Sequence, residues 1–251
     1  MISRIVLILT LVLGLSSGFS PLARQACAEP SIDPKADKIL RKMSIYLNAL
    51  EQFTIHLENS LDTLMENGQK IQRGRSIDVS IKRPNRLRAD IIGDVLNQQL
   101  FYDGKNVTLY GKNVNYFATT KAPDTLESAM DYAEKSFGLV FPAADLIYKN
   151  AYGIMIADIQ SGGYVGQSSV FGIECNHLAF QGSETDWQIW VENSVTPFPR
   201  KLVITSKWIT GAPQFTVFLT EWNASASLQN DLFTFTKPSE AEEIQFLPIE
   251  N

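Results

Sequence analysis

Cys175 and His177 attract attention first, a thiol and an imidazole two positions apart. On a strand such a pair shares one face. A Cys/His nucleophilic couple needs direct hydrogen-bond contact and an orienting third group. Side chains at i and i+2, however, stand ~7 Å apart along a strand. Phe171, Ile173 and Ala179 fall on the same face, which therefore reads as core. A structural zinc site asks for four ligands. The chain offers 2 His and 2 Cys, and His56 lies on the polar parity of its strand. Asp62 with Glu66, Glu174 and Asp186 are available carboxylates, but no spacing sets two of them across a cleft as glycosidase chemistry requires. Gly-x-Ser-x-Gly, Walker, EF-hand and His-Glu-x-x-His patterns are missing. These residues assign no catalytic group, metal or cofactor.

Arg73, Arg75, Lys82, Arg83, Arg86 and Arg88 form a local basic group. On strands they could make a positive strip for anionic head groups or an acidic partner; the plainer reading is a solvated face. With 22 Lys+Arg against 27 Asp+Glu, the net charge of −5 argues against nucleic-acid binding, which needs clustered cations on a basic domain. Asn106-Val-Thr108 and Asn223-Ala-Ser225 match the glycosylation triplet, a pattern that chance often supplies.

The elements that would position these residues follow from periodicity. Asp33-Pro34 is a cap followed by a first-turn proline, and Ile39, Leu40, Met43, Leu47 and Leu50 make one helical stripe. The period then changes to two. Phe53, Ile55 and Leu57 alternate with polar residues, and Asn67-Gly68 is a hairpin turn. Ile77, Val79 and Ile81, then Leu87, Ala89 and Ile91, repeat the alternation. Shorter strands are expected around Phe101-Tyr102, Val107–Leu109 and Tyr116-Phe117. A second helix is expected with Asp124 as its cap and Glu127 completing a capping box. Leu126, Ala129, Met130, Ala133 and Phe137 form its apolar stripe before Gly138 stops it, and residues 141–148 add a shorter helical piece. Strands resume over 164–181, 186–193, 199–209, 214–223 and 232–236, about eleven in all.

This order of elements, α+β but mainly β, suggests one strongly curved antiparallel sheet with helices over its concave face. Some late strands are apolar on both sides, with Trp187 and Ile189 opposed to Trp190, and Phe215, Val217 and Leu219 opposed to Phe218 and Trp222. Either both faces are covered, or one lines an apolar cavity.

Met1 to Ala28 reads as a secretory signal, with Arg4 first, an apolar run from Ile5 to Leu15, and Ala26-Cys27-Ala28 for cleavage. The run is too short to span a bilayer. Cleavage near Ala28 removes Arg4, Arg24 and no acid, so 20 cations face 27 acids and the charge becomes −7. It also removes Cys27, leaving Cys175 without a disulfide partner. The expected product is an exported single domain, 29–251, without a transmembrane segment.

Six segments in order carry a resemblance. They are Asp33-Pro34-Lys35-Ala36-Asp37, Arg83-Pro84-Asn85-Arg86-Leu87-Arg88, Tyr102-Asp103-Gly104-Lys105, Pro142-Ala143-Ala144-Asp145-Leu146, Gly172-Ile173-Glu174-Cys175-Asn176-His177-Leu178 and Asp186-Trp187-Gln188-Ile189-Trp190. The series resembles that of a family of predicted periplasmic proteins of unknown function. That family is similar in turn to the lipoprotein-carrier superfamily of LolA, LolB and the mycobacterial lipid-transfer lipoproteins. The resemblance implies an unclosed half-barrel with a helical lid over an apolar hollow. It also implies a role in carrying acyl chains or lipoproteins through the periplasm, or in sensing them.

The leading expectation is a periplasmic, non-enzymatic carrier or binder of a lipid acyl chain or lipoprotein. Candidate cavity residues are Phe53, Ile55, Ile77, Val79, Leu87 and Leu109 on strands, with Leu126, Met130 and Phe137 closing over them from the second helix. The other expectations are a protein-interaction or envelope-stress module with a membrane-anchored partner, and a hydrolase using Cys175 and His177.

Overall fold

The computed structural model describes residues 31–141 and 143–249. The signal-peptide reading, with its cleavage site and Cys27, lies outside the described residues.

Helix α1 (Pro34–Ala49) starts as its sequence dictates. Asp33 accepts a hydrogen bond from the Lys35 amide at 2.7 Å, and Pro34 occupies the first turn. Its buried stripe includes Ala36, Leu40, Met43 and Leu47. The chain then runs through a meander of β2 (Gln52–Leu64), β3 (Lys70–Lys82), β4 (Arg86–Gly93), β5 (Asn97–Tyr102), β6 (Asn106–Gly111) and β7 (Tyr116–Lys121). Helix α2 (Leu126–Phe137), a short 3-10 turn (Ala144–Ile147) and α3 (Ala151–Ile156) interrupt it. A second meander follows: β8 (Ile159–Val170), β9 (Ile173–Gly182), β10 (Thr185–Glu192), β11 (Pro199–Ser206) and β12 (Gln214–Asn223).

The two meanders fuse where β12 pairs antiparallel with β2. Two short parallel strands finish the edges, β1 (Ser31–Ile32) on β8 and β13 (Glu242–Ile244) on β7. The result is one sheet of 13 strands whose terminal strands, β1 and β13, do not meet. It is an unclosed half-barrel.

Several boundaries differ from expectation. The segment 164–181 is two strands, not one. Phe171 (φ 49°) and Gly172 (φ 82°) form a two-residue left-handed turn, and Val170 pairs with Ile173 across it. Phenylalanine is a poor candidate for that conformation, so composition gave no warning. The segment 232–236 is not a strand; a 3-10 turn occupies Asn230–Phe233. The cap of α2 is Thr125 rather than Asp124, because Thr125 has the extended conformation and its hydroxyl accepts from the Ser128 amide at 3.2 Å. At the other end Gly138 is left-handed (φ 66°) and closes the helix as expected. The strands β1 and β13 and helix α3 carry no periodic signal, being 2, 3 and 6 residues long.

The main core lies on the concave face, where Phe180, Trp187, Ile189, Leu202 and Val217 pack in the same cluster as Leu40 and Met43 of α1. The doubly apolar late strands are explained by a second, smaller cluster on the opposite face, where Val170, Cys175, Trp190 and Val203 pack with Phe218. Phe235 covers another outer patch, its ring tilted against Phe117 at 5.0 Å and Tyr110 at 5.7 Å. Both faces are therefore covered in places, and one also lines a cavity.

Candidate functional site

Alternation sets the wall of that cavity. On β2, Phe53, Ile55, Leu57, Asn59 and Leu61 share one parity, and on β3 their partners are Ile81, Val79, Ile77, Arg75 and Arg73. Ala89 and Ile91 of β4 pair with Val79 and Ile77 and extend the same face. Above it lie Met130 of α2 and the segment through Phe141, Ala143, Ala144, Leu146 and Ile147. Between these layers is an open-mouthed, mainly apolar hollow of about 170 Å³. A cavity of that size takes a benzene-sized molecule, which is roughly six methylene-sized groups.

Arg83 fixes the covering layer to the sheet. Its side chain is 9% exposed, donates to the Leu50 carbonyl at 3.1 Å and the Ile147 carbonyl at 2.5 Å, and lies 3.6 Å from Glu127. Burial lowers its pKa, partly offset by Glu127. One guanidinium thus ties the ends of α1 and the 3-10 turn, and a carboxylate of α2, to the β3–β4 corner. Glu127 in turn accepts from the Lys149 amide at 3.1 Å. The Tyr148 hydroxyl donates to Asp131 at 3.1 Å, and burial beside that carboxylate pushes its pKa far up.

The nine candidate residues separate into groups. Ile55, Ile77, Val79, Leu87 and Met130 line the hollow. Leu126 belongs to an adjoining seam of about 10 Å³ between α2 and the sheet, shared with Leu87 and Met130. Phe53 is 1% exposed and sits deeper, its ring 5.6 Å from Trp222. Leu109 packs on the core away from the wall. Phe137 points elsewhere on α2, stacked 4.8 Å from Phe246 and edge-on to Tyr132 at 5.6 Å.

Leu57, Ile91, Arg73 and Arg75 also line the hollow, and the strand parity that selected Ile55 and Ile77 would have found them. Trp222 is different. Its parity sets it beside Phe218, but the pairing of β12 with β2 shifts between Thr220 and Asn223, with Glu221 left-handed at φ 49°. That bulge turns Trp222 inward, onto Phe198 at 4.7 Å and the hollow's wall. Sequence offers no signal for it.

Cys175 and His177 lie on the other face. Cys175 is fully buried and its thiol donates to the Ile173 carbonyl at 3.5 Å; burial pushes its pKa up to about 11. His177 stacks on Trp190 with ring centroids 4.0 Å apart and bonds Gln188 at 3.0 Å, and burial lowers its pKa. A nucleophilic thiol needs the opposite shift. His56 is also on the outer face, between Asp78 at 2.7 Å and Glu58 at 3.0 Å, and its pKa is raised, chiefly by the Asp78 bond. Among the described residues no group of three or more His, Cys, Asp or Glu could hold a metal ion.

An unclosed antiparallel half-barrel with helices over its concave face and an apolar hollow beneath them defines the class of protein. The chain belongs to the family described as "Predicted periplasmic protein (DUF2092)", whose model matches residues 36–247. Among solved structures it is similar to an uncharacterized conserved protein from Thermus thermophilus, with 9% identity and a TM-score of 0.50, over 84% of this chain and 99% of that one. At that identity the likeness is one of fold. It is also similar to the lipoprotein LppX of Mycobacterium tuberculosis, at 10% identity and a TM-score of 0.48, over 78% of this chain and 100% of that one. A third is a LolA superfamily protein from Nitrosomonas europaea, at 11% identity and a TM-score of 0.39, over 80% and 97%. No curated protein matches the chain. No helix among the described residues is long and apolar enough to cross a membrane.

Proposed function

We propose that the protein is a non-enzymatic periplasmic binder or carrier of an apolar ligand, a lipid acyl chain or the acyl chain of a lipoprotein. Residues 1–28 would serve as its cleaved export signal and 29–251 as its one domain. The observation that carries the reading is the hollow, whose wall from β2, β3, β4 and α2 is apolar over most of its extent. Filling it with about six methylenes at ~0.8 kcal/mol each supplies up to ~5 kcal/mol, before the cost of ordering the chain. Shape and apolar area suffice for such binding, and no titratable cluster is required. The buried, weakly acidic Cys175 thiol speaks against the hydrolase alternative.

The test is to extract the protein purified from its own envelope, identify bound lipid by mass spectrometry, and titrate the emptied protein with a fluorescent fatty acid. Co-purified lipid or saturable probe binding is expected. An empty hollow that takes no probe overturns the reading. If a membrane-anchored protein then co-purifies in stoichiometric amount, the sensor module takes its place.

A further inference from the structure

The six-residue basic group does not stay together in the fold. Lys82 donates to the Leu228 carbonyl at 2.9 Å, and Arg83 is buried under the helices. Arg86 bonds Asn85 at 2.8 Å, and Arg88 bonds Asp90 at 2.7 Å. Arg73 and Arg75 alone of the six line the hollow, and among the described residues neither has a hydrogen-bond or ion-pair partner. Nearby carboxylates are otherwise engaged: Asp94 accepts from the Gly74 amide at 3.2 Å, and Asp62 from the Gln214 amide at 3.1 Å.

The register arranges these arginines as the end of a gradient. Along paired β2 and β3 the inward couples run Phe53–Ile81, Ile55–Val79, Leu57–Ile77, Asn59–Arg75 and Leu61–Arg73. The first couple is sealed, at 1% and 0% exposure, while the two arginines are exposed. One continuous wall thus passes from dry and apolar to cationic. The neighbour of Arg75 on β4 is Gly93, and a Cβ there would meet Arg75 Cγ at 3.0 Å. The missing side chain makes room for the arginine stem. These guanidiniums stand on a chain with a net charge of −5, so the mouth is a local exception to the protein's overall sign.

We propose that the ligand is an anionic amphiphile. Its acyl tail lies against Ile55, Leu57, Ile77 and Val79, and its carboxylate or phosphate head group is held at the mouth by Arg73 and Arg75, with the Asn59 amide between them and the apolar wall. The proposal rests on the carrier reading and adds the charge of the head group. Guanidinium forks match both oxyanions, so the chemistry is shared by fatty acids and by lipids bearing a phosphate.

The test compares three probes of one chain length, hexadecanoate, hexadecyl phosphate and uncharged hexadecanol, on the emptied protein and on R73Q/R75Q. Wild type is expected to bind at least one anion roughly tenfold more tightly than the alcohol, with the preference shrinking as salt rises. Whichever anion is favoured identifies the source. The double variant should lose that preference and keep its affinity for hexadecanol. Both side chains are exposed, so the melting temperature should hold; if it falls, R73K/R75K, which keeps the charge, must retain the preference. Equal binding of alcohol and anions by wild type overturns the head-group assignment and leaves the carrier reading standing. Failure of all three probes removes the carrier reading itself.

Discussion

Filling the floor of the hollow is the sharpest way to ask whether a tail lies there. Ala89 is 7% exposed and sits on β4 between Val79 of β3 and Leu100 of β5, all three on the wall. Replacing it with phenylalanine sends a ring into a space of about 170 Å³. The ring takes the place of roughly four methylenes, and at ~0.8 kcal/mol each the loss is ~3 kcal/mol, or roughly 200-fold in affinity. Stability should change little, because the added group enters an opening instead of a packed region; overpacking would cost ~1–3 kcal/mol. The assay is displacement of a fluorescent fatty acid, with thermal unfolding of the same samples. Val165→Phe, at an outer position on β8 that is 58% exposed, is the control and should bind as wild type. If Ala89→Phe proves unstable, Ile91→Trp tests the same wall nearer its half-buried end. Ala89→Phe that folds normally and binds the probe with wild-type affinity would refute a tail in this hollow.

Four further outcomes follow from the electrostatics. Arg83→Met leaves the Leu50 and Ile147 carbonyls without their donor and Glu127 without its cation, so denaturant unfolding should show a loss of ~2–4 kcal/mol; a loss under ~0.5 kcal/mol would mean that Arg83 does not tie the helices down. The raised pKa of His56 makes its contribution complete below ~6.5, the unfolded value, and lost as pH rises through the higher folded value. Asp78 and Glu58 are exposed, so screening holds that contribution under ~1 kcal/mol; His56→Gln should flatten a fall in melting temperature between about pH 6 and 8. His177 works in the opposite sense, its lowered pKa removing stability as pH falls below ~6.5, so His177→Gln should steepen the His56 profile. Cys175, with its pKa pushed up to about 11 by burial, should resist iodoacetamide near neutral pH and react only as the protein unfolds; rapid native alkylation would contradict its placement.

Long elements with one buried face were legible in the sequence. The stripes of α1 and α2 and the alternation of β2 to β4 each state a periodicity over many residues, and burial follows it. What could not be read depends on single residues or distant partners. The Phe171-Gly172 turn rests on a left-handed phenylalanine, and the edge strands β1 and β13 exist only because β8 and β7 present free edges to them. Leu109 and Phe137 have the right parity and the right stripe, but the curvature of the sheet and the Phe246 contact decide which part of each element faces the hollow. Periodicity gives a direction for each side chain, and closure of the sheet decides what lies in that direction.

The basic group shows how far that distinction reaches. Taken by proximity along the chain, six cations within 73–88 look like one solvated strip. Taken by parity they separate, because Arg73 and Arg75 share the phase of Ile77, Val79 and Ile81, while Arg88 is out of phase with Leu87 and Ala89. A charge in phase with a buried apolar series is costly unless that face opens to water before reaching it. On β3 it does, and the face opens where the hollow has its mouth. The same parity that seals Ile81 under the helices therefore obliges the strand to end its inward face in a solvated, cationic rim. An apolar tail bound along this wall meets that rim wherever its head emerges. For this reason the head group's charge should discriminate among amphiphiles whose tails fill the hollow equally.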